Sequence, residues 1–326
     1  MITEKITINH LMLQNRIVMP PMATGKADRG SPDEALISYY AKRARGTGLI
    51  IVEHEYVSPE GMAHASQLSM ADDMRIPAYR KLTDAVHQQG TAIFAQINHA
   101  GAKTQDSGLP AISPSGITVG EGPMSSAMTK EDIERVKKCF VNAALRVQEA
   151  GFDGVEIHSA HGYLLNQFYS PLTNHRTDEY GGGTLEGRTR LHTEVLRAVR
   201  KAVGEDYPVA IRFGAYDYME GGSRVEDIPE ACRIFEEAGA DLLDITGGLG
   251  GFIIPGKTEP GYFAELSRPA KDSVQIPVLV TGGVTDIHDA EKLLQEGVAD
   301  LIGVGRALLK DGDWSVRALK EIGRKQ

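Results

Sequence analysis

Cysteine and long apolar runs are both scarce in this chain. The 326 residues include two cysteines, Cys139 and Cys232. Two isolated thiols cannot assemble a zinc or iron–sulfur site and do not suggest a secreted disulfide scaffold. The longest apolar runs reach about five to eight residues, whereas a membrane-spanning helix needs about 20. The opening residues, MITEKITINH, contain no apolar core of a secretory signal. We therefore expect a cytoplasmic protein that does not associate with membranes.

A surplus of positive charge is also missing. The formal net charge is −9, with 35 basic and 44 acidic side chains. This balance argues against the basic surface by which proteins bind nucleic acid or anionic lipid. No linker, charge block or low-complexity tract divides the sequence. We therefore expect one domain over residues 1–326, a length that is normal for a single α/β barrel with insertions.

Short apolar runs recur along the chain with helical patterns between them. Eight runs have the length and composition of buried strands: Ile17–Met19, Leu49–Glu53, Ala92–Ile97, Gly154–His158, Val209–Phe213, Leu242–Thr246, Val278–Thr281 and Leu301–Val304. Strands that alternate with helices indicate a parallel sheet of the α/β class. At this length, a closed (β/α)8 TIM barrel is favoured over an open doubly wound sheet.

The helical segments carry recognisable apolar faces and end signals. Apolar residues recur at steps of three and four over Asp33–Ala44, Asp132–Ala150 and the stretch from Phe263 to Val274. Thr129 and Asp132 have the spacing of a capping box, and Gly151 is a natural stop. Three connections are long for a barrel, namely Gly101–Thr129, Ser159–Thr184 and Gly247–Tyr262. All three follow strand ends, where barrel enzymes keep their active sites.

Two imidazoles and a phenol lie at the end of the fourth predicted strand and just beyond it. His158, His161 and Tyr163 lie within six residues at its carboxyl end. Such donors can bind a carbonyl oxygen or an oxyanion. With Glu156 nearby, the two histidines could instead begin a metal site, although a catalytic zinc needs a third ligand. From residue types alone, binding an oxyanion, binding a metal and a purely structural role stay open.

Glycine-rich turns follow the last two predicted strands. Gly282 and Gly283 come after the seventh strand, and Gly305 and Arg306 come after the eighth. Barrels often bind phosphate at these two loops, where backbone N–H groups and a cation converge. The alternative is two ordinary strand-to-helix turns with a surface arginine. Leu308 stands where a dinucleotide fingerprint would place its third glycine. A mononucleotide or a sugar phosphate is therefore the expected ligand.

Two polar residues lie on other predicted strands. Arg212 interrupts the apolar run Val209–Phe213, and Gln96 lies near the end of the third strand. A buried guanidinium needs a carboxylate or an anionic ligand. The structural alternative is an ion pair with Glu53 or Glu156. Spacing assigns no role to three further histidines, His54, His64 and His99.

Taken together, these motifs resemble one known family. The segment after the fourth strand, HSAHGYLLNQFYSPLTNHRTDEYGG, is similar to the signature of the old yellow enzyme family of FMN-dependent oxidoreductases. Three further segments, NRIVMPPMAT, GLIIVEHEYVSPEG and AQINHAG, resemble its first three strands. The turns TGGV and GVGRAL resemble its FMN phosphate loops. The resemblance covers essentially the whole chain and favours the flavin interpretation over a metal site.

The resemblance implies a role for each candidate residue. The flavin ring would contact Pro21, Met22, Ala23, Gln96 and Arg212, with Arg212 near its N1 and O2 atoms. The phosphate would be held by Gly282, Gly283, Gly305 and Arg306. His158 and His161 would bind the substrate carbonyl, and Tyr163 would donate a proton to the substrate carbon. Ala23 replaces a hydrogen-bonding residue of many relatives. Tyr56 replaces a small residue and is expected to narrow the pocket.

The function implied by the resemblance is that of an ene-reductase. NADPH or NADH would reduce the FMN and leave, and an α,β-unsaturated carbonyl compound would then enter the same pocket, in ping-pong order. Two alternatives remain, a non-redox barrel acting on a sugar phosphate and a flavin-binding protein without turnover. The resemblance is compatible with a homo-oligomer in which a neighbour's C-terminal arginine completes the site, and Arg324 is the candidate for that residue. The physiological substrate and the choice between NADH and NADPH are left open.

Overall fold

A computed structural model describes residues 1–119 and 124–323 of the chain. Among these residues, no helix combines the length and the apolar composition that a membrane crossing requires. The chain starts with a two-stranded antiparallel hairpin, β1 (Ile6–Ile8) and β2 (Leu11–Leu13). The hairpin precedes the main sheet in the chain and packs against the amino ends of its strands.

The main sheet is a closed parallel barrel. Within the described residues, its eight strands are β3 (Ile17–Met19), β4 (Leu49–Tyr56), β6 (Ala92–Asn98), β9 (Gly154–Ser159), β10 (Val209–Tyr216), β11 (Leu242–Gly247), β12 (Val278–Thr281) and β13 (Leu301–Gly303). Strand β3 pairs with both β4 and β13, which closes the sheet. Besides the hairpin, three further short strands of the described residues lie outside the ring, namely β5 (Leu68–Ser69), β7 (Ile112–Ser113) and β8 (Ser126–Ala127). The predicted (β/α)8 barrel is therefore confirmed.

All eight predicted strands are present, and the differences lie at their carboxyl ends. Five strands continue for one to three residues beyond the predicted end, and β13 stops one residue earlier, at Gly303. The extended ends are rich in polar residues, such as the His-Glu-Tyr that ends β4. Backbone pairing continues there although the apolar pattern has stopped. The predicted bounds were therefore too short at the end of the barrel that carries the long loops.

Helices cover the outside of the barrel. They are α1 (Glu34–Ala44), α2 (Ile76–His87), α3 (Lys130–Glu149), α4 (Leu164–Tyr169), α5 (Leu185–Val203), α6 (Ile228–Glu237), α7 (Ala264–Lys271), α8 (Ile287–Gln295), α9 (Arg306–Lys310) and α10 (Trp314–Gly323). The predicted capping box of α3 is confirmed: the Thr129 hydroxyl accepts from the Asp132 N–H at 3.1 Å, and the Asp132 carboxylate accepts from the Thr129 N–H at 3.0 Å. Such caps satisfy N–H groups that a helix start leaves unpaired.

The amino end of the barrel is filled with aliphatic and aromatic side chains. The hairpin side chains pack there against residues near the start of the strands. The cluster consists of Ile8, Leu13, Val18, Leu49, Ile51, Phe94, Ala210, Leu242, Leu279 and Leu301. Each member is at most 1% exposed. This packing closes the amino end, so the space available to a ligand lies at the carboxyl end.

A buried carboxylate ties three of the loops at the carboxyl end together. Asp217 follows β10 and is fully buried. Its carboxylate accepts hydrogen bonds from the Ser170 hydroxyl at 2.6 Å, the Ser223 N–H at 2.9 Å and the Leu249 N–H at 2.8 Å. These donors lie in the connections after β9, β10 and β11. Asp217 thus fixes the position of the loop that carries the histidine motif.

Candidate active site

One cavity of about 450 Å³ opens at the carboxyl end of the barrel. It brings together all twelve candidate residues that the sequence suggested. Its lining includes Pro21, Met22, Ala23, Gln96, His158, His161, Tyr163, Arg212, Gly282, Gly283, Gly305 and Arg306. A cavity that combines apolar walls with a few convergent polar groups is the usual form of a ligand site.

His158 and His161 form a neutral imidazole pair. Their ring centroids are 5.1 Å apart, and the His161 Nε2 lies 3.1 Å from the Thr246 hydroxyl. Burial lowers the pKa of both rings well below the usual value, and nearby Arg212 lowers both further. Each ring is therefore neutral near pH 7 and has one N–H to donate. Within residues 1–119 and 124–323, no three His, Cys, Asp or Glu side chains are arranged to hold a metal ion.

The loop that presents His161 has an unusual backbone. His161 has φ 58°, a region that non-glycine residues rarely occupy, and Gly162 follows with φ 75°. The Lys103 ammonium donates to the His161 carbonyl at 2.7 Å and stabilises this conformation. Burial lowers the pKa of Lys103. Strained residues of this kind cluster at functional sites, and Lys103 itself lines the cavity.

Tyr163 faces the cavity from the start of α4. Its ring centroid lies 5.2 Å from that of His158 and 5.3 Å from that of His54. Burial raises the pKa of the phenol above its usual value. The hydroxyl therefore keeps its proton near pH 7. The site thus combines two neutral N–H donors with one protonated phenol.

Arg212 has a carboxylate partner that the sequence analysis did not identify. Its Nε lies 3.2 Å from the Asp244 carboxylate, on the neighbouring strand and in direct register. Burial raises the pKa of Asp244 to about 6, although Arg212 opposes this shift. Burial and the Asp244 charge likewise raise the pKa of Glu156. Glu156, which the sequence offered as a partner of Arg212, belongs to the same buried cluster of charges. The ion pair of Arg212, however, is with Asp244.

Glu53, the other proposed partner of Arg212, has a different role. Its carboxylate accepts from the Thr24 N–H at 2.8 Å, the Thr24 hydroxyl at 2.7 Å and the Tyr40 hydroxyl at 3.2 Å. The alternative of a Glu53–Arg212 ion pair is therefore not the one the structure adopts, since Arg212 pairs with Asp244. Because Thr24 follows Pro21, Met22 and Ala23, Glu53 instead anchors the segment that forms one wall of the cavity.

Gln96 is oriented by a buried hydrogen bond. Its amide Nε2 donates to the Glu156 carboxyl at 2.7 Å. The side chain is 1% exposed and lines the cavity. Because the amide nitrogen is already engaged, the amide oxygen is left as an acceptor. An N–H group on the edge of a planar ligand would match this oxygen.

The last residue of β13, Gly303, and the turn residue Gly283 after β12 have no room for a side chain. A Cβ on Gly303 would lie 1.9 Å from the Thr281 hydroxyl, and one on Gly283 would lie 2.7 Å from the Glu259 carbonyl. Gly283 also has φ +71°. Arg306 follows at the start of α9 and is exposed at the cavity edge. Close backbone approach beside a cation suits a phosphate group.

The cavity also contains residues that sequence reasoning missed. The most informative is His54, which the predicted strand Leu49–Glu53 had excluded by one residue; β4 in fact runs to Tyr56. Other such residues include Lys103, Thr246, Phe252, Ile253, Tyr262 and Thr281. The polar ends of the strands were the signal available for His54 and Thr246.

Two further predictions about the pocket have different outcomes. Tyr56, which was expected to narrow the pocket, does not belong to the cavity lining: a Cβ built on Gly30, away from the cavity, would lie 3.4 Å from its hydroxyl. That prediction is wrong, because the side chain on this strand that enters the cavity is His54. Arg324 lies outside the described residues.

Comparison with known proteins identifies relatives along the whole chain. The profile of the NADH:flavin oxidoreductase / NADH oxidase family matches residues 2–325. An NADH oxidase of Thermoanaerobacter brockii is 41% identical over an alignment of 322 residues, which covers 95% of this chain and 49% of that protein. An NADPH dehydrogenase of Geobacillus thermodenitrificans is 39% identical over 325 residues, covering 98% of this chain and 94% of the relative.

A solved structure shows the same fold. The old yellow enzyme homologue of Zymomonas mobilis superposes with a TM-score of 0.88 at 29% identity, covering 98% of this chain and 92% of that chain. The chain thus spans about half the length of the NADH oxidase and nearly all of the other two proteins. The resemblance to the old yellow enzyme family is confirmed.

Proposed function

Because the chain belongs to the NADH:flavin oxidoreductase / NADH oxidase family, we propose that it is an FMN-dependent NAD(P)H oxidoreductase that reduces the C=C bond of α,β-unsaturated carbonyl compounds. One observation carries the proposal. The neutral His158 and His161 and the protonated Tyr163 share a single cavity with the glycine turns and Arg306. Hydrogen-bond donors for a substrate carbonyl would thereby share one cavity with the residues proposed to hold a phosphate.

The lining residues fit the chemistry of FMN. Pro21, Met22 and Ala23 would form an apolar wall for the ring, and the amide oxygen of Gln96 would accept from a ring N–H. Arg212 would offer a cation to the polar edge of the ring, while its Nε, 3.2 Å from the Asp244 carboxylate, holds the guanidinium in place. Gly282, Gly283, Gly305 and Arg306 would hold the phosphate. FMN, when bound, supplies the hydride chemistry, which no side chain can provide.

His158 and His161 would polarise the substrate. Each neutral ring has one N–H to donate to the carbonyl oxygen, and both bonds strengthen as negative charge develops on that oxygen. Thr246 and the Lys103–His161 carbonyl contact fix the orientation of His161. Because both rings are neutral at working pH, no proton needs to leave the site before the substrate binds.

Tyr163 would supply the proton that completes reduction of the double bond. A phenol with a raised pKa retains its proton until a carbanion-like centre forms beside it. NAD(P)H and the unsaturated substrate would occupy the same cavity in turn, which gives ping-pong kinetics. The exposed Phe252 and Ile253 at the cavity edge favour an apolar substrate body.

The experiment that tests this function separates the two half-reactions by stopped flow. Purified protein should be yellow, should bleach with NADPH or NADH and should recover its colour with cyclohexenone. Tyr163→Phe should leave bleaching nearly unchanged and slow recovery by roughly 10²–10⁴-fold, the usual contribution of a general acid. Recovery of Tyr163→Phe at the parent rate would exclude Tyr163 as the proton donor.

Tyr207→Phe is the matched control for this test. The Tyr207 hydroxyl donates to the Phe152 carbonyl at 2.9 Å, away from the cavity lining. It should therefore change neither half-reaction. A colourless protein with no released flavin would reject the proposal and favour a non-redox enzyme. A yellow protein that is bleached but not reoxidised by enones would indicate flavin binding without this turnover.

A further inference from the structure

We propose that His54 is a positioning residue for Tyr163: its Nε2–H donates to the phenol oxygen, directs the phenolic proton into the cavity and stabilises the phenolate left after proton transfer. The inference rests on the proposed function, in which Tyr163 supplies the proton. It concerns a side chain on a different strand from the histidine motif. Spacing along the sequence had assigned it no role.

Gln67 selects the tautomer of His54. This side chain is 1% exposed, and its amide oxygen accepts from the Ala63 N–H at 2.7 Å. The amide oxygen is therefore fixed toward Ala63, and the amide nitrogen faces His54. That nitrogen lies 2.6 Å from the His54 Nδ1 and 3.3 Å from the His54 carbonyl. Because an amide NH₂ can only donate, Nδ1 must be the acceptor nitrogen of the ring.

The protonation state of His54 then places its proton. Burial lowers the pKa of His54 to about 3, with smaller contributions from the His64 and Arg212 charges. The ring is therefore neutral near pH 7 and holds one proton. With Nδ1 accepting from Gln67, that proton resides on Nε2.

The Nε2–H of His54 faces Tyr163. The His54 Nε2 lies 3.4 Å from the Tyr163 hydroxyl oxygen. This distance is at the long end for a hydrogen bond, as is common in catalytic groups before a ligand closes the site. A hydroxyl has a single proton, so a phenol oxygen that accepts from His54 must direct its own O–H elsewhere. Tyr163 and His54 both line the cavity, which is the free direction.

The other neighbours of Tyr163 do not replace this donor. The His158 ring packs edge-on against the phenol at 5.2 Å between centroids. The Lys103 ammonium lies 5.8 Å from the phenol ring centroid and donates to the His161 carbonyl. His54 is thus the neighbour positioned to bond directly to the phenol oxygen. The proton passes from Tyr163 to the substrate carbon, solvent later reprotonates the phenolate, and His54 keeps its own proton throughout.

Two substitutions separate the hydrogen bond from the shape of the ring. His54→Leu removes the donor, whereas His54→Gln carries an amide N–H close to the position of Nε2. We expect His54→Leu to slow cyclohexenone-driven reoxidation by roughly 10- to 100-fold, as for loss of a bond to a charged acceptor, and to spare NADPH-driven bleaching. His54→Gln should remain within about threefold of the parent rate.

A neighbouring histidine gives a matched control. The His64 ring lies 5.8 Å from the His54 ring, and its Nδ1 bonds to the Ser66 hydroxyl at 3.1 Å. His64→Gln should change neither half-reaction. If His54→Leu and His64→Gln slow reoxidation equally, the effect comes from general disturbance of the loop, and the proposal is overturned.

A double variant tests whether His54 acts through Tyr163. In a Tyr163→Phe background, His54→Leu should have no further effect on reoxidation, because the acceptor atom is gone. An equal slowing in both backgrounds would assign His54 a separate role and overturn the proposal. So would parent-rate reoxidation by His54→Leu when Tyr163→Phe alone is slow.

The tautomer can be read without turnover. In protein with ¹⁵N-labelled histidine, the His54 resonances, assigned by their loss in His54→Gln, should show a protonated Nε2 and an unprotonated Nδ1 at pH 7. A protonated Nδ1 would overturn the inference. Failure of the proposed function gives a different pattern: Tyr163→Phe would match the parent while the Nε2–H signal persists.

Discussion

The two ends of the barrel differ in the polarity of their buried side chains. At the amino end, the hairpin β1–β2 and the strand interiors form a closed apolar cluster. Toward the carboxyl end, several buried polar atoms have no hydrogen-bond partner among the described residues, including His158 Nδ1, Glu156 Oε2 and Thr281 Oγ1. Unpaired buried polar atoms destabilise a fold unless a ligand or water satisfies them. The amino end therefore contributes stability, whereas the carboxyl end retains polar groups for a ligand.

Removing the Arg212 charge should have the largest effect, because it should lower both the stability of the fold and the binding of FMN. Arg212→Met leaves Glu156 and Asp244 buried without their cation. We expect the free energy of unfolding to fall by about 3–5 kcal/mol, as for one partner of a buried pair, and FMN retention to fall as well. Urea denaturation of the apoprotein measures the first effect. Adding Asp244→Asn should recover part of the loss, and unchanged stability of the single variant would contradict the assigned pairing.

A substitution in the amino-end cluster should sharpen the contrast. Leu13 is 1% exposed within that cluster. Leu13→Ala should lower the free energy of unfolding by about 2–5 kcal/mol through lost burial and an added cavity. The flavin absorbance spectrum and both half-reactions at 25 °C should be unchanged. An altered spectrum would show that the two ends are not independent.

At the phosphate loops, we expect a substitution to weaken FMN binding without lowering the stability of the fold. Arg306→Ala should weaken FMN retention by about 1.5–3 kcal/mol, the contribution of a charge-assisted bond. Stability of the apoprotein should be unaffected because the side chain is exposed. Equilibrium titration of apoprotein with FMN measures the affinity. Lys310→Ala, at the other end of the same short helix, is the control and should bind FMN like the parent.

The smallest expected effects concern the pH dependence of stability, to which His54 and Asp244 contribute with opposite signs. The lowered pKa of His54, about 3, means that its contribution to stability is present above about pH 6.5 and is lost as pH falls toward 3. The raised pKa of Asp244, about 6, has the opposite sign: its contribution is present below about pH 3.9 and is lost as pH rises through 6. His54→Gln should therefore make melting temperature less sensitive to acid between pH 5 and 7, and Asp244→Asn should make it more sensitive.

The fold was readable from the sequence because strands and helices are repeated local patterns. The segment from Pro21 to Ala23, the histidine motif and the glycine turns were found because each lies at or just after a strand end. The predicted FMN cofactor and NAD(P)H donor agree with the family match and the NADPH dehydrogenase relatives.

What the sequence could not supply is register. Asp244 lies opposite Arg212 because β10 and β11 pair in one particular alignment, whereas Glu53 seemed equally available from composition. His54 was missed because apolar character ends before backbone pairing does. Its contact with Tyr163 joins residues far apart in the chain, and no local pattern encodes such a contact.

Closure of the barrel has a consequence for biosynthesis. Ile17 of β3 pairs with Ile302 of β13, so one of the first strands made must wait for one of the last. At roughly 5–20 residues per second, that wait lasts about 15–60 s on the ribosome. Until then, the growing sheet has two unpaired edges that can join other chains. Overproduction at low temperature or with a chaperone that shields such edges should therefore raise the yield of folded protein.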